Sequence, residues 1–366
     1  MTSVATDSGT AKPVSKQDSG AKKPRLGWID AVKGLTISLV VMEHTTWGVM
    51  ATLNERPEIF GDIADFAKPF RMPLFFLVAG LFAWKAINGP WRDFLDRKLL
   101  HFGYFYVLWS VIQIGIKIAV PAGGNWTVTW HDMLMIPVQP FAVLWFIYEL
   151  AIFFAVLRIC RKLNPAWLFA AAALVYFAEI STGWMLIDEF AWRFIWFVSG
   201  VYGASRVFEL AAWARENHGR ALALAGVLYV TVATVVFSGL IDIRGLELLM
   251  GYAGASASIL AVTVLADMGL VGFLSFIGHR SLYVFLAFFA PMAIVRVGLV
   301  KFAGFTNGDL VTLLTVVTAV VTPLIAYELL KKTPLAFLFV RPALFRLKDE
   351  PAQPDKEAAI PAGAGA

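Results

Sequence analysis

The sequence predicts an all-α protein, a polytopic membrane bundle of about ten transmembrane helices with both termini cytoplasmic. Three observations carry this. Hydrophobic residues make up 59% of the 366 residues and charged ones 16%, with a mean hydropathy of +0.70; soluble domains carry roughly 25% charged residues. Apolar runs of near-membrane length recur along the chain, so its length reads as one bundle rather than several soluble domains. The basic residues gather in alternate connections.

The expected spans are 28–50, 66–84, 99–120, 141–157, 166–185, 190–208, 221–240, 246–266, 273–297 and 310–330. No internal repeat is evident. A polar stretch at 1–24 lacks the apolar segment of a signal peptide and reads as a disordered cytoplasmic tail. The membrane domain follows at 25–333. A Pro- and Phe-rich piece, 334–348, is expected along the membrane interface, and 349–366 is a low-complexity tail.

Charge orients the bundle. With the N terminus inside, the cytoplasmic connections carry Lys85, Arg92, Arg97, Lys98, Arg158, Arg161, Lys162, Arg206, Arg215 and Arg220. The outer connections carry mainly acids, among them Asp132, Asp188, Asp242 and Asp309, with Arg56, Arg244 and Lys301 as exceptions. That asymmetry is the positive-inside pattern, and two cytoplasmic ends require an even number of spans. The net charge of +5 and pI near 9.2 therefore reflect membrane topology, and no nucleic-acid partner is expected. Cys160 is the only cysteine, so neither an intramolecular disulfide nor a cysteine metal site is available. There is no zinc spacing, nucleophile elbow, phosphate loop or dinucleotide fingerprint, so no metal and no tightly bound cofactor is expected.

The chemistry-bearing residues begin in the first span, DAVKGLTISLVVMEH. On a helix, the eleven residues from Lys33 to His44 make about three turns, roughly 20° off one face and about 16 Å apart. Asp30 lies one turn before Lys33. Charge inside a span costs several kcal/mol unless it faces protein or water, and so usually marks function. His44 suits general-base chemistry on a hydroxyl; its bland alternative is an interfacial histidine bonded to a neighbouring helix. Lys33 and Asp30 either act on substrate or form a buried ion pair closing the first helix on its neighbours.

Further candidates lie downstream. In FRMPLFFLVAGLF, Arg71 stands at the outer start of the second span, as an anchor at lipid headgroups or a binder of an anionic acceptor, and Gly80 is expected to serve close packing. LWFIYELAIFF sets Trp145 and the carboxylate of Glu149 in the fourth span; that carboxylate needs a partner, for which Lys33, Arg71 and His44 are candidates. Arg97 and Lys98 lie in a basic cytoplasmic cluster, which serves topology and lipid contact or seats the phosphates of a nucleotide carrier. Trp130, with Trp126, His131 and Asp132, offers an aromatic platform for a sugar or an interfacial belt.

Together these stretches resemble the acyltransferase-3 family of bacterial membrane O-acyltransferases. DAVKGLTISLVVMEH is similar to that family's first-span signature, an Asp, an Arg-Gly and a His eleven residues after the Arg. FRMPLFFLVAGLF, LWFIYELAIFF and LSFIGHRSLYVFLAFFAPM follow in the family's order. The resemblance covers about 25–330. It implies transfer of an acyl group, often acetyl or succinyl, from cytoplasmic acyl-CoA to a hydroxyl of an extracytoplasmic glycan, in the bacterial inner membrane. Its arginine and histidine fall on Lys33 and His44, and its basic cytoplasmic positions on Arg97 and Lys98. Lysine at 33 loses the two-pronged geometry of guanidinium. Ala287-Phe288 stands where many members carry a further histidine, so nothing catalytic is expected of the ninth span. The implied mechanism has His44 deprotonating the acceptor, Lys33 or a nearby dipole stabilising the oxyanion, and Glu149 or Asp30 orienting the imidazole. The competing class is a proton-coupled transporter or exporter of a glycan or small anion, built on the same residues.

Overall fold

A computed structural model describes residues 27–119 and 128–347. The expected tails and Trp126 lie outside the described residues. Among those described, the chain is helical and holds no strand. The helices are α1 (Gly27–Leu53), α2 (Glu58–Gly80), α3 (Ala83–Asn88), α4 (Trp91–Phe94), α5 (His101–Ala119), α6 (Trp130–Met135), α7 (Trp145–Cys160), α8 (Pro165–Phe177), α9 (Met185–Tyr202) and α10 (Ala204–Glu216). They continue with α11 (His218–Phe237), α12 (Arg244–Asp267), α13 (Gly272–His279), α14 (Ser281–Ala287), α15 (Phe289–Val297) and α16 (Gly308–Leu330). A π-helical stretch, Leu95–Leu100, runs α4 into α5.

Five stretches are long and apolar enough to cross a membrane: Trp91–Ala119, Ala142–Cys160, His218–Phe237, Arg244–Asp267 and Gly308–Leu330. A sixth is counted if the bent pair Ser281–Ala287 and Phe289–Phe302 is one span. The protein is therefore an integral membrane protein. Helix α1 is as long, at 27 residues, but carries Asp30, Lys33 and Glu43. A helix with charges along it avoids the cost of exposing them to lipid by sitting inside. Accordingly α1 contacts α2, α12, α13, α14, α15 and α16, and most of its residues from Trp28 to Val49 are buried, with Trp47 exposed.

Three expected spans differ from the helices observed. The run 166–185 yields only the 13 residues of α8, about 20 Å of helix against a hydrocarbon core of about 30 Å. The run 190–208 stops at Tyr202, where Gly203 turns the chain into α10, a polar helix carrying Arg206, Glu209, Arg215 and Glu216. The run 273–297 is split at Arg280 and again at Phe288, where the axis bends by 52°. Pro291 explains the second break. A helical proline has no N–H and its ring clashes with the carbonyl four residues earlier, here Ala287. The side-chain amide of Gln113 donates to the neighbouring Leu286 carbonyl at 3.4 Å.

Glycine permits the closest crossings. A Cβ on Gly34 would collide with the Leu274 carbonyl, and one on Gly278 with the Asp30 carbonyl, so α1 and α13 meet backbone to backbone. Gly80 and Gly200 bring α2 and α9 together in the same way, as small residues do between membrane helices. The segment after α16 packs on α5 and the π-helical stretch. Tyr104 Oη and Trp109 Nε1 donate to the Phe337 and Leu338 carbonyls, both at 2.9 Å, and Arg341 pairs with Asp96 at 2.8 Å.

Candidate active site

The candidate site is built on the C-terminal half of α1. Glu43 and His44 are neighbours in sequence, so they point about 100° apart. Glu43 turns towards α2 and forms an ion pair with Arg71, both side chains being less than a tenth exposed. Arg71 lies fourteen residues into α2. It is thus a buried mid-helix cation rather than a headgroup anchor, because α2 begins at Glu58, eight residues before the apolar run that marks it in the sequence. One guanidinium nitrogen of Arg71 holds Glu43, while Nε and Nη1 have no hydrogen-bond partner. Arg71 is within electrostatic reach of His44.

His44 is half-buried. Its ring meets Trp47 edge-on at 5.6 Å and lies 5.8 Å from Phe288, the residue at the break between α14 and α15. Its ring nitrogens make no hydrogen bond to any described residue. Thr45 and Thr46 next to it are bonded back to the Val41 and Met42 carbonyls at 2.8 and 2.9 Å, so their hydroxyls are committed to α1.

Glu149, in the second turn of α7, is fully buried, and neither carboxylate oxygen has a hydrogen-bond partner. Of its three expected partners, Arg71 is taken by Glu43 and His44 makes no bond to it. The charges that reach it are Glu189 and Arg193 of α9, which are themselves paired at 3.0 Å. An unbonded polar group in a low-dielectric interior costs on the order of 1–3 kcal/mol, more for a charge. Arg71, Glu149, Ser110 and Gln113 each keep a buried polar atom without a hydrogen-bond partner among the described residues.

Lys33 lies at the other end of α1. It is half-buried, with Nζ 5.9 Å above the Phe82 ring. Ile37, Val40 and Val41, all buried in the main core, fill the turns between it and His44. Asp30, also buried, is a further turn away, about 21 Å along the axis from His44, and so does not orient the imidazole. The cation within electrostatic reach of His44 is Arg71.

The remaining candidates are dispersed. Trp145 is half-buried against Phe76 at 6.2 Å. Arg97 is exposed in the π-helical stretch, and Lys98 beside it stands 4.8 Å above the Phe154 ring. Trp130, on the short α6, is 68% exposed. Among the described residues no group of three metal-ligating side chains occurs. Sequence reasoning passed over Glu43 as a partner, and did not single out Gln113, Arg193 or Arg296. The signal was present: each is a polar residue inside an apolar run, the rule that picked out His44 and Glu149.

The fold thus defines a helical membrane protein whose α1 carries a half-buried imidazole next in sequence to a buried ion pair. Its family follows from comparison. The family model described as an acyltransferase domain, of the acyltransferase-3 type, matches residues 26–327, and the chain belongs to that family. It is also similar to the inner membrane protein YcfT of Escherichia coli strain K12, 30% identical over 90 residues. That match covers 22% of this chain and 25% of YcfT, so the chain spans about a quarter of that relative's length. No solved structure matches.

Proposed function

We propose that the protein transfers an acyl group, of the acetyl or succinyl class, from cytoplasmic acyl-CoA to a hydroxyl of a periplasmic or cell-surface glycan, from a position in the inner membrane. The observation that carries this reading is His44 within electrostatic reach of the buried Arg71–Glu43 pair, inside a bundle that belongs to an acyltransferase family. His44 takes the acceptor hydroxyl proton as the oxygen bonds to the thioester carbonyl carbon. The oxyanion that forms is met by the Nε–H and Nη1–H of Arg71, the two donors left without partners. The C–S bond then breaks, and the imidazolium returns its proton to the departing thiolate. Glu43 holds Arg71 in place, since a guanidinium anchored by one carboxylate keeps its fork oriented.

The two ends of α1 divide the work. About 16 Å separates Lys33 from His44, too far for both to touch one carbonyl. Lys33 serves the entering acyl-CoA arm, with Arg97 and Lys98 at its phosphates. Trp145 and the exposed Trp130 are sugar-contacting candidates, and both ends of the chain are cytoplasmic. The exporter reading draws on that broken helix, since discontinuous helices build transport sites.

The test is transfer of radiolabelled acyl groups from acyl-CoA in membranes containing the full chain. His44→Ala should lower the rate by about 10²–10⁴, the contribution of a positioned general base. Unchanged labelling in His44→Ala removes this histidine from the chemistry, and glycan efflux without acylation favours the exporter.

A further inference from the structure

One buried cation is unused by the reaction as described. Arg296 lies at the end of α15 and is 6% exposed. Its Nε is buried without a hydrogen-bond partner, and among the described residues it forms no ion pair and no carboxylate acts on it. The guanidinium is seated by design of the backbone opposite. A Cβ on Gly48 would occupy the place of Arg296 Nη1, so α1 is thinned to a glycine where the arginine crosses it. Gly48 is four residues after His44, hence on the same face of α1 and about 6 Å further along. Phe288, at the start of the same bent segment, meets His44. Lys117 on α5 is within electrostatic reach of Arg296, its Nζ 5.3 Å above the Phe289 ring.

Arg296 therefore stands one turn beyond the imidazole, on the side away from Lys33, with Lys117 within its electrostatic reach. An unpaired buried charge such as that of Arg296 is strongly unfavourable. Such an arrangement persists where a ligand supplies the missing charge. We infer that Arg296, with Lys117, forms an anion subsite that holds a carboxylate of the acceptor glycan, so that the preferred acceptor is an acidic sugar acylated on a hydroxyl about one helical turn from its acid group. The inference rests on the acyl-transfer reading for which group is acylated, but the binding it asserts is measured separately.

The experiment uses the purified full chain in detergent, with a radiolabelled glucuronate trisaccharide and its carboxyl-reduced counterpart as probes in equilibrium dialysis. The protein should bind the acidic form about ten- to a hundred-fold more tightly, the worth of a hydrogen bond to a charged group. Arg296→Gln should erase that preference and Arg296→Lys should keep part of it. Gly48→Ala, which displaces the guanidinium, should weaken acidic binding without changing the charge. Melting temperature guards the interpretation. Arg296→Met should melt at or above the parent temperature, because it removes an uncompensated charge. Equal binding of the two probes by the parent protein, an unchanged preference in Arg296→Gln, or a large fall in melting temperature would each overturn the subsite. A rate that discriminates succinyl-CoA from acetyl-CoA through Arg296, with no discrimination between acceptors, would overturn the assignment to the acceptor. Acidic binding that depends on Arg296 without any acyl transfer would instead refute the acyltransferase reading and leave the subsite standing.

Discussion

Removing Arg71 separates what the buried pair does for stability from what it does for chemistry. With side chains only 6% and 9% exposed, the ions attract by about 4 kcal/mol at contact for an effective dielectric near 20. Desolvation costs several kcal/mol per ion, so the pair as a whole adds little net stability. Breaking it is different. Arg71→Leu leaves the Glu43 carboxylate buried and unpaired, which should cost about 3–5 kcal/mol. The double variant Glu43→Leu/Arg71→Leu removes both charges and should return to within about 1 kcal/mol of the parent or exceed it. The coupling between the two substitutions should accordingly be large and favourable. Reversible unfolding in mixed detergent micelles measures the stabilities, and acyl transfer in the same micelles measures the function. Refolded but inactive double variant protein is the expected outcome, with the rate down about 10²–10³ for loss of an oxyanion donor. The reasoning fails if Arg71→Leu alone is as stable as the parent, which would mean the pair is hydrated. It also fails if the double variant transfers acyl groups at the parent rate, which would remove Arg71 from the reaction.

Two structural predictions accompany this. Gly34→Ala should lower the melting temperature clearly, by the equivalent of about 1–3 kcal/mol of overpacking, because its Cβ meets the Leu274 backbone rather than a side chain that can swing away; an unchanged melting temperature would show that α1 and α13 do not cross so closely. Arg341→Ala strips Asp96 of its buried partner and should expose the segment after α16 to protease, with cleavage between Pro334 and Leu347 at least about tenfold faster. Equal cleavage would mean the apolar contacts of Phe339 with Trp109, Tyr283 and Tyr327 hold that segment without the ion pair.

Much of the bundle was legible because the bilayer leaves few choices. Runs such as 246–266 and 310–330 became α12 and α16 with bounds no more than two residues away, since an apolar stretch of that length satisfies its backbone as a helix. Helix ends were less legible. α2 starts eight residues before its apolar run, because Glu58, Asp62 and Asp65 continue the helix outside the greasy segment, and this moved Arg71 from the rim to the interior. The run at 273–297 read as one span because hydropathy is blind to Pro291 acting on Ala287. For the site, the polar residues inside apolar runs were visible, while their pairing was not. Arg71 was one of three candidate partners for Glu149, yet Glu43, to which the sequence reading gave no role, holds that arginine.

By itself the sequence determined that this chain lives in a membrane, that its apolar spans follow one another in this order, and that an imidazole lies on the first of them; these depend on composition and on spacing along one helix. Only the tertiary structure decided which charge stands beside which, that α1 is the inner helix of the bundle, and that Arg71 rather than Lys33 is the cation within electrostatic reach of His44. The reason is physical. A side chain's place along its own helix follows from a rise of about 1.5 Å per residue, but its partners lie on other helices, whose rotation and depth are set by packing at glycines and breaks that no single segment encodes.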